Sequence, residues 1–380
     1  FKSIRTVMVA PGVWPAEIFG EKISVVAIVH RVTLPYHTSL IVVGELYYMW
    51  MHMDELGFLD LGHMIITTLL GILTVVRSIV PQLQSYHKLL LKFINVMHLM
   101  HSKNKGPYYN QMNDTVDKIC SYYTKFSLGL IFLSCSMFNF APFCNNVANV
   151  FVFKTENYTL EFSLYYQYPG IDPTDYFTTT SIYNFYLSYN CAMMLPKNKV
   201  VFKLGDIFKY KINESITFEM FGAEENKEVR FKLAECIEHH KEIIGFTDEV
   251  SALFGPILAF NYLFHLVCCS LLLLECSEGG YSAMLRYGPM TVLIYGQLIQ
   301  MSVIFEMLGS ETEKLPDSAY FLPWECMDTS NRRTACIMLH KMQDKISLTA
   351  LGLAAVGVST MTGILKTTFS YYAFLQTMGD

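Results

Sequence analysis

Seven stretches of the chain are apolar over a length close to the ~20 residues that cross a bilayer as a helix: 32–50, 61–80, 126–143, 176–195, 252–274, 288–308 and 346–378. Polar connections separate them, so the pattern predicts an all-α membrane protein with seven transmembrane helices. In the connection 196–251, Phe231, Ala234, Ile237, Ile244 and Val250 recur at roughly helical spacing among charges. That pattern predicts that the fifth helix begins well outside the bilayer. The connection 309–345 does the same with Tyr320, Trp324, Ile337 and Leu339, so both are expected to be helical and packed together.

The fourth stretch, YFTTTSIYNFYLSYNCAMML, carries no charge but is crowded with hydroxyls, amides and aromatics. Hydrocarbon would leave those groups unsatisfied. Buried packing with hydrogen bonds between helices is one explanation, and a small-molecule pocket lined by Thr178, Ser181, Ile182 and Phe185 on one face is the other. In the first stretch Glu45 is either a site carboxylate or a group that reaches headgroups or water, the plainer expectation. Arg77, a turn from the end of the second stretch, is expected to snorkel to the interface. The last stretch mixes Gly352, Gly357 and Gly363 with Leu, Val and Ile, as helices that pack closely in lipid do, then ends in a band of hydroxyls and aromatics after Lys366. The arm 1–31, with Trp14, Pro15, Ile18 and Phe19, suits an interfacial helix or a poorly ordered segment.

Composition agrees: 52% of residues are hydrophobic and only 16% charged, against about 25% charged in soluble domains. A net charge of −5 gives no basis for nucleic-acid binding. Of the 28 Lys and Arg, 24 fall in the arm before the first stretch and in the connections 81–125, 196–251 and 309–345. The opposite side holds only Lys154 and Arg286. The N-terminus is therefore expected in the cytoplasm and the C-terminus outside. Among three Asn-x-Ser/Thr sequons that orientation exposes Asn157 to glycosylation and withholds Asn113 and Asn213. A G-protein-coupled receptor would have the opposite orientation, and its motifs after the third and in the seventh span are missing. The opening residues show no continuous apolar core or small-residue cleavage site, so no signal peptide is expected.

Candidate chemistry is sparse. The ten cysteines have no metal or redox spacing. Cys144 and Cys276, both expected outside near span ends, leave one disulfide possible. His98 with His101, and Cys236 with His239 and His240, read as solvated helix ends rather than metal ligands. With no phosphate loop, nucleophile elbow or paired acids, an enzyme is not expected, and no cofactor is implied.

The terminal run ILKTTFSYYAFLQTM resembles the C-terminal signature of insect odorant receptors, and Ser318-Ala319-Tyr320-Phe321-Leu322-Pro323-Trp324 resembles the same family's Ala-Tyr…Trp signature. Gly309-Ser310-Glu311 is a weaker match, and together the three cover roughly the last eighty residues. The gustatory signature fits less well, because Thr368-Phe369 precedes Gln376 at the wrong interval and Thr377 replaces Phe.

The resemblance implies an odorant-tuning subunit that joins the odorant receptor co-receptor in a heterotetramer. That complex would be an odorant-gated, nonselective cation channel in the plasma membrane of the olfactory sensory neuron dendrite. The segments 196–251 and 309–345 would form its cytoplasmic assembly domain, and 346–380 its pore-lining helix. By family position a neutral volatile would bind in the outer half of the region 32–308, among the second, third, fourth and sixth helices. Matching depth points to Ile66, Thr67, Leu70, Ser136, Met137, Phe140, Thr178, Ser181, Ile182, Phe185, Thr291, Ile294 and Tyr295. Thr178 or Tyr295 would supply the orienting hydroxyl. On the last helix Thr367, Tyr371, Phe374 and Met378 share a stripe, and the family's outer hydrophobic constriction aligns with Phe374 and Met378. Gln376 stands where the family often has a basic residue, so pore charge is not carried over. A gustatory-type receptor channel is the alternative. A transporter is more distant, since neither internal repeats nor paired broken helices are found.

Overall fold

The computed structural model describes residues 20, 25–93, 107–155, 160–171, 176–193, 220–278, 280–344, 346–352 and 354–379. Helix α1 (Val25–Met51) runs through Pro35. Proline leaves the carbonyl four residues earlier without its helical donor, and Gln82 supplies one, donating from Nε2 to Arg31 O at 3.3 Å. Helix α2 (Phe58–Ile79) ends in a 3-10 turn at Pro81, followed by α3 (Gln84–Lys92). Helix α4 (Pro107–Val147) passes into a π turn that stops at Lys154, whose φ of 48° is left-handed. Helix α5 (Phe177–Met193) follows. Helix α6 (Ala223–Glu278) has 56 residues, a rod of about 84 Å at 1.5 Å per residue. Gly280, with a φ of 69°, turns the chain directly into α7 (Gly280–Glu313).

Six of the seven apolar stretches lie in α1, α2, α4, α5, α6 and α7 in the expected order, with 194–195 outside the described residues. By length and composition alone, four helices among the described residues can cross a membrane; they include α2, the later part of α4, α6 and α7. Helix α2 packs on α1 and α6, α4 on α5 and α7, and α6 on α7. One apolar core joins Ile66 and Leu73 to Phe264, Leu272, Met290 and Ile294. A second joins Leu89 and Phe93 to Phe246, Leu258, Leu298 and Phe305.

As expected, the helix that carries the fifth apolar stretch, α6, begins well before that stretch, at Ala223. Its first turns pack on α8 (Leu315–Tyr320) and α9 (Thr329–Met342) through Leu233, Ala319, Met327, Ala335, Met338 and Met342. Of the expected stripe, Val250 is buried and Ile237 and Ile244 are half-buried, but Ala234 and Phe231 are exposed, and Leu233, Ile243 and Phe246 are inside instead. Two asparagines lock the platform. Asn226 donates from Nδ2 to Phe221 O (2.7 Å) and accepts at Oδ1 from Asp328 N (2.9 Å), while Asn331 Nδ2 donates to Asn226 O (2.9 Å). Asp328 in turn caps α9, accepting from Asn331 N at 2.7 Å.

Two sequence expectations change. The stretch 346–378 is not one helix. Thr349–Ala350 pairs antiparallel with Ala354–Ala355 around a turn in which Leu351 (φ 55°) and Gly352 (φ 68°) are left-handed, and helix α10 (Val358–Gly379) begins only afterwards. Of the small residues that suggested close helix packing, Gly352 serves this turn, and the close backbone approach is made by a glycine of α6 instead. A Cβ on Gly255 of α6 would lie 3.1 Å from Thr349 O and 3.2 Å from Leu351 N. Arg77 does not snorkel either. It is 6% exposed, and its Nη2 donates to Asn261 Oδ1 of α6. Inward placement occurs because α2 turns that face to α6, where an amide waits at helical depth.

Candidate ligand site

Where α6 ends and α7 begins, the segment 160–171 folds across the helix bundle. It has little regular structure, so its backbone groups need side-chain partners. Arg286 Nη2 donates to Phe162 O (2.7 Å), and Asn184 Nδ2 donates to Leu164 O (3.2 Å). Asn146 takes Glu161 by both backbone groups, donating to its O at 2.6 Å and accepting from its N at 2.9 Å. Gln167 N reaches Gly44 O at 3.1 Å, and a Cβ on Gly44 would lie 3.0 Å from the Tyr166 and Tyr168 side chains. The buried His63 ring lies 3.0 Å from Ser163 O through Nε2 and 2.7 Å from Tyr287 Oη through Nδ1. Arg286 also stacks over the Phe138 and Tyr287 rings, 5.3 and 5.2 Å from their centroids. These contacts make the segment a fixed roof.

Beneath it lies a cavity of about 70 Å³, well above what one water needs. Helix α1 contributes Thr38, Ile41 and Glu45; α2 contributes Thr67, Leu70 and Gly71; α4 contributes Ser134, Cys135 and Phe138. Leu164 of the roof, Leu187 and Ser188 of α5, and Met290, Leu293 and Ile294 of α7 complete the wall. The lining is mainly aliphatic, with a few hydroxyls and one carboxyl, the composition of a small-molecule site.

The residues proposed from sequence fall around this cavity unevenly. Thr67, Leu70 and Ile294 line it. Ile66 is buried in the adjoining core. On α4 the wall uses Ser134, Cys135 and Phe138, whereas Ser136 and Met137 are half-buried beside it and Phe140 is exposed. Depth was legible there, but helical phase was not. On α5 the wall uses Leu187 and Ser188, deeper than Thr178, Ser181, Ile182 and Phe185, of which only Ser181 is not exposed. On α7, Thr291 donates to Tyr287 O (2.9 Å), and Tyr295 packs against the neighbouring core, so neither lines the cavity. The polar groups of this stretch of α5 are used otherwise: Asn184 holds the roof, and Tyr183 Oη lies 3.1 Å from His37 Nδ1. Packing with interhelical hydrogen bonds therefore accounts for them.

Sequence reasoning missed the whole contribution of α1. Its one signal was Glu45, which the plainer expectation sent to headgroups or water. The structure buries it at 1% exposure in the cavity wall, because α2 and the roof cover that face of α1.

On α10, Thr367, Tyr371 and Phe374 are exposed in the single chain, while Thr368 is fully buried and Ser270 Oγ of α6 donates to its carbonyl (3.4 Å). Met378 belongs to the same helix, but its side chain lies outside the described residues, as does Asn157. Cys144 and Cys276 are free thiols. Among the described residues no three potential metal ligands come together.

Comparison with known proteins follows the same lines. The family model described as 7tm Odorant receptor matches residues 205–369. Odorant receptor 10 of Aedes albopictus is 22% identical over 156 residues, 41% of this chain and 42% of that protein. Odorant receptor 13a of Drosophila melanogaster is 22% identical over 219 residues, 54% of this chain and 50% of that one. The chain spans 37% to 50% of the length of the curated relatives it matches. The solved structure of the insect olfactory receptor OR5 from Machilis hrabei superposes with a TM-score of 0.74 at 14% identity, over 98% of this chain and 96% of that one. Its complex with eugenol gives 0.71 at 13% identity, over 99% and 97%. Helix order, the long α6 and these similarities agree: the chain is an all-α membrane protein with the fold of the insect olfactory receptor OR5, and its residues 205–369 match the odorant receptor family model.

Proposed function

We propose that this protein is the odorant-tuning subunit of a ligand-gated, nonselective cation channel, assembled with the odorant receptor co-receptor as a heterotetramer. The observation that carries the reading is the roofed, mainly aliphatic cavity inside the helix bundle, in a chain of this family. A pocket of that lining desolvates a neutral volatile at little cost and an ion at several kcal/mol (roughly). The eugenol complex of the Machilis hrabei receptor shows a relative of this fold with a small organic molecule.

In this arrangement the N-terminus is cytoplasmic, as the distribution of Lys and Arg favours, and the roof faces outside. The platform of α6, α8 and α9 is the assembly domain, and its exposed Phe231 (72%), Tyr320, Phe321 and Ile337 are the apolar surface that other subunits cover. Helix α10 lines the pore, with Phe374 and Met378 at an outer constriction that closes by dewetting. The site of action is the plasma membrane of the olfactory sensory neuron dendrite. Ligand in the cavity biases the α1–α2–α4–α7 packing, and α6, which touches both α2 and α10, carries the change to the pore.

Recording from cells that express this chain, the co-receptor, or both tests the reading. The expected result is a volatile-evoked cation current only when both are present. Surface-expressed complexes that stay silent to a broad panel of neutral volatiles would overturn it.

A further inference from the structure

The cavity is rich in hydrogen-bond acceptors and poor in donors. Thr38 Oγ1 donates to Leu34 O (2.9 Å), Thr67 Oγ1 to Met64 O (3.1 Å) and Ser134 Oγ to Pro289 O (2.9 Å). Cys135 Sγ points to Ser188 O at 3.5 Å. Three of the four lining hydroxyls have thus used their protons on backbone carbonyls, leaving only oxygen lone pairs toward the space. Glu45 is the other polar group of the wall. It is 1% exposed, and neither carboxyl oxygen has a hydrogen-bond partner. Thr67 and Thr68 are its polar neighbours. The first has spent its proton, and the second has one to offer to two oxygens. At least one acceptor of Glu45 is left for whatever fills the cavity, and a buried polar atom without a partner is costly.

We propose that Glu45 sets ligand specificity, and that the ligand is a neutral molecule with an apolar body and one O–H donor, an alcohol or a phenol. The inference rests on the odorant-receptor reading for what binding accomplishes, not for what binds. A carboxyl buried without a counter-charge takes its neutral form, with one O–H donor and one carbonyl acceptor. A hydroxyl on the ligand engages both, whereas an ether, ester or ketone of the same shape engages only the donor and leaves the acceptor unsatisfied. An ammonium would satisfy it, but must shed its water against a wall that is otherwise aliphatic. Gly71 helps to hold the carboxyl in place. A Cβ there would meet Val42 Cγ2 at 2.7 Å and Glu45 Oε2 at 3.8 Å, so the glycine lets α1 press its carboxylate face against α2.

Binding to the purified complex with the co-receptor and opening of the channel are measured separately, with 1-hexanol, 1-methoxyhexane and hexylamine as probes. Wild type is expected to bind hexanol about tenfold more tightly than the methyl ether, the value of one hydrogen bond to a buried carboxyl. Glu45→Leu should bring that ratio near one while ether binding is kept or improved. Glu45→Gln, which keeps both a donor and an acceptor, should hold the ratio, and Glu45→Met decides the matter if the leucine variant does not fold. Equal binding of alcohol and ether by wild type, a ratio unchanged in the leucine or methionine variant, binding of neither compound, or tighter binding of hexylamine would each overturn the proposal. Complexes that bind hexanol with the expected ratio but never open would instead count against the channel reading and leave the role of Glu45 standing.

Discussion

At the scale of single residues, the buried polar groups carry the main constraints. Arg77 makes one hydrogen bond, to Asn261, and its Nε and Nη1 have no partner. Removing one member of a buried polar pair costs more than replacing the charge with an apolar side chain of similar volume. Asn261→Leu is therefore expected to lower stability by about 3 kcal/mol, and Arg77→Met to be tolerated, as thermal unfolding of the purified protein would report. Outside the bilayer, His240 on α6 is held below the usual histidine range, first by burial and then by its neighbour His239. A histidine depressed in the folded state favours its neutral form. The stability it contributes is present above the unfolded value of about 6.5 and is lost as pH falls below it. Half of the ring is exposed, so the effect is modest. Between pH 7.5 and 5.5, the thermal midpoint of wild type should fall further than that of His240→Asn, and parallel curves would refute this.

Elements are joined by a few strategic contacts. Glu306 of α7 accepts from Val358 N at 3.0 Å, so a carboxylate from one helix caps the start of α10. Such a cap adds a favourable dipole interaction and fixes where α10 begins. A Cβ on Gly357 would lie 2.6 Å from Glu306 Oε2, which is incompatible with the cap. Gly357→Ala and Glu306→Ala should each destabilise by about 1 kcal/mol and shift the odorant concentration for half-maximal current in the same direction. Opposite shifts would show that the two act separately. Further along α10, Phe374 is 58% exposed in the single chain, which suits a residue directed at other subunits or the pore. Phe374→Ser is expected to raise current without odorant, and Phe369→Ser to lower surface expression instead. Complexes that remain silent at rest with Phe374→Ser at normal surface levels would remove it from the gate.

For the whole molecule, orientation is the testable quantity. In the proposed orientation, which rests on the charge asymmetry of the connections, the roof segment lies outside and the α8–α9 platform inside. Asn157→Gln should then abolish any glycan, seen as a gel shift, while Asn113→Gln and Asn213→Gln change nothing. A shift with Asn213→Gln would reverse the molecule in the membrane. The same orientation accounts for what each end is made of. The platform is held by amide locks such as Asn226 with Asn331, which tolerate water, and the cavity end is closed by a roof whose backbone is satisfied from within the bundle.

Hydropathy by itself determined the helical class, the order of the apolar segments and the long extension of α6, because each depends on periodic burial; local motifs carried the odorant-receptor resemblance. It also flagged Glu45 and Arg77, since a charge in an apolar run has no local explanation. Their partners were not legible. Whether Glu45 meets water or a cavity depends on what α2 and the segment 160–171 lay over it, and Arg77 depends on an amide 184 residues away. The cavity wall shows the same division. Depth along α4 and α7 follows from counting residues, but the face each helix turns inward is set by its packing against its neighbours, so Ser134 and Phe138 stand where Ser136 and Phe140 were expected. The hairpin before α10 was hidden for a related reason. Thr349 to Ala355 is apolar enough to be read as helix, and only the contact of its backbone with Gly255 makes the extended form the stable one.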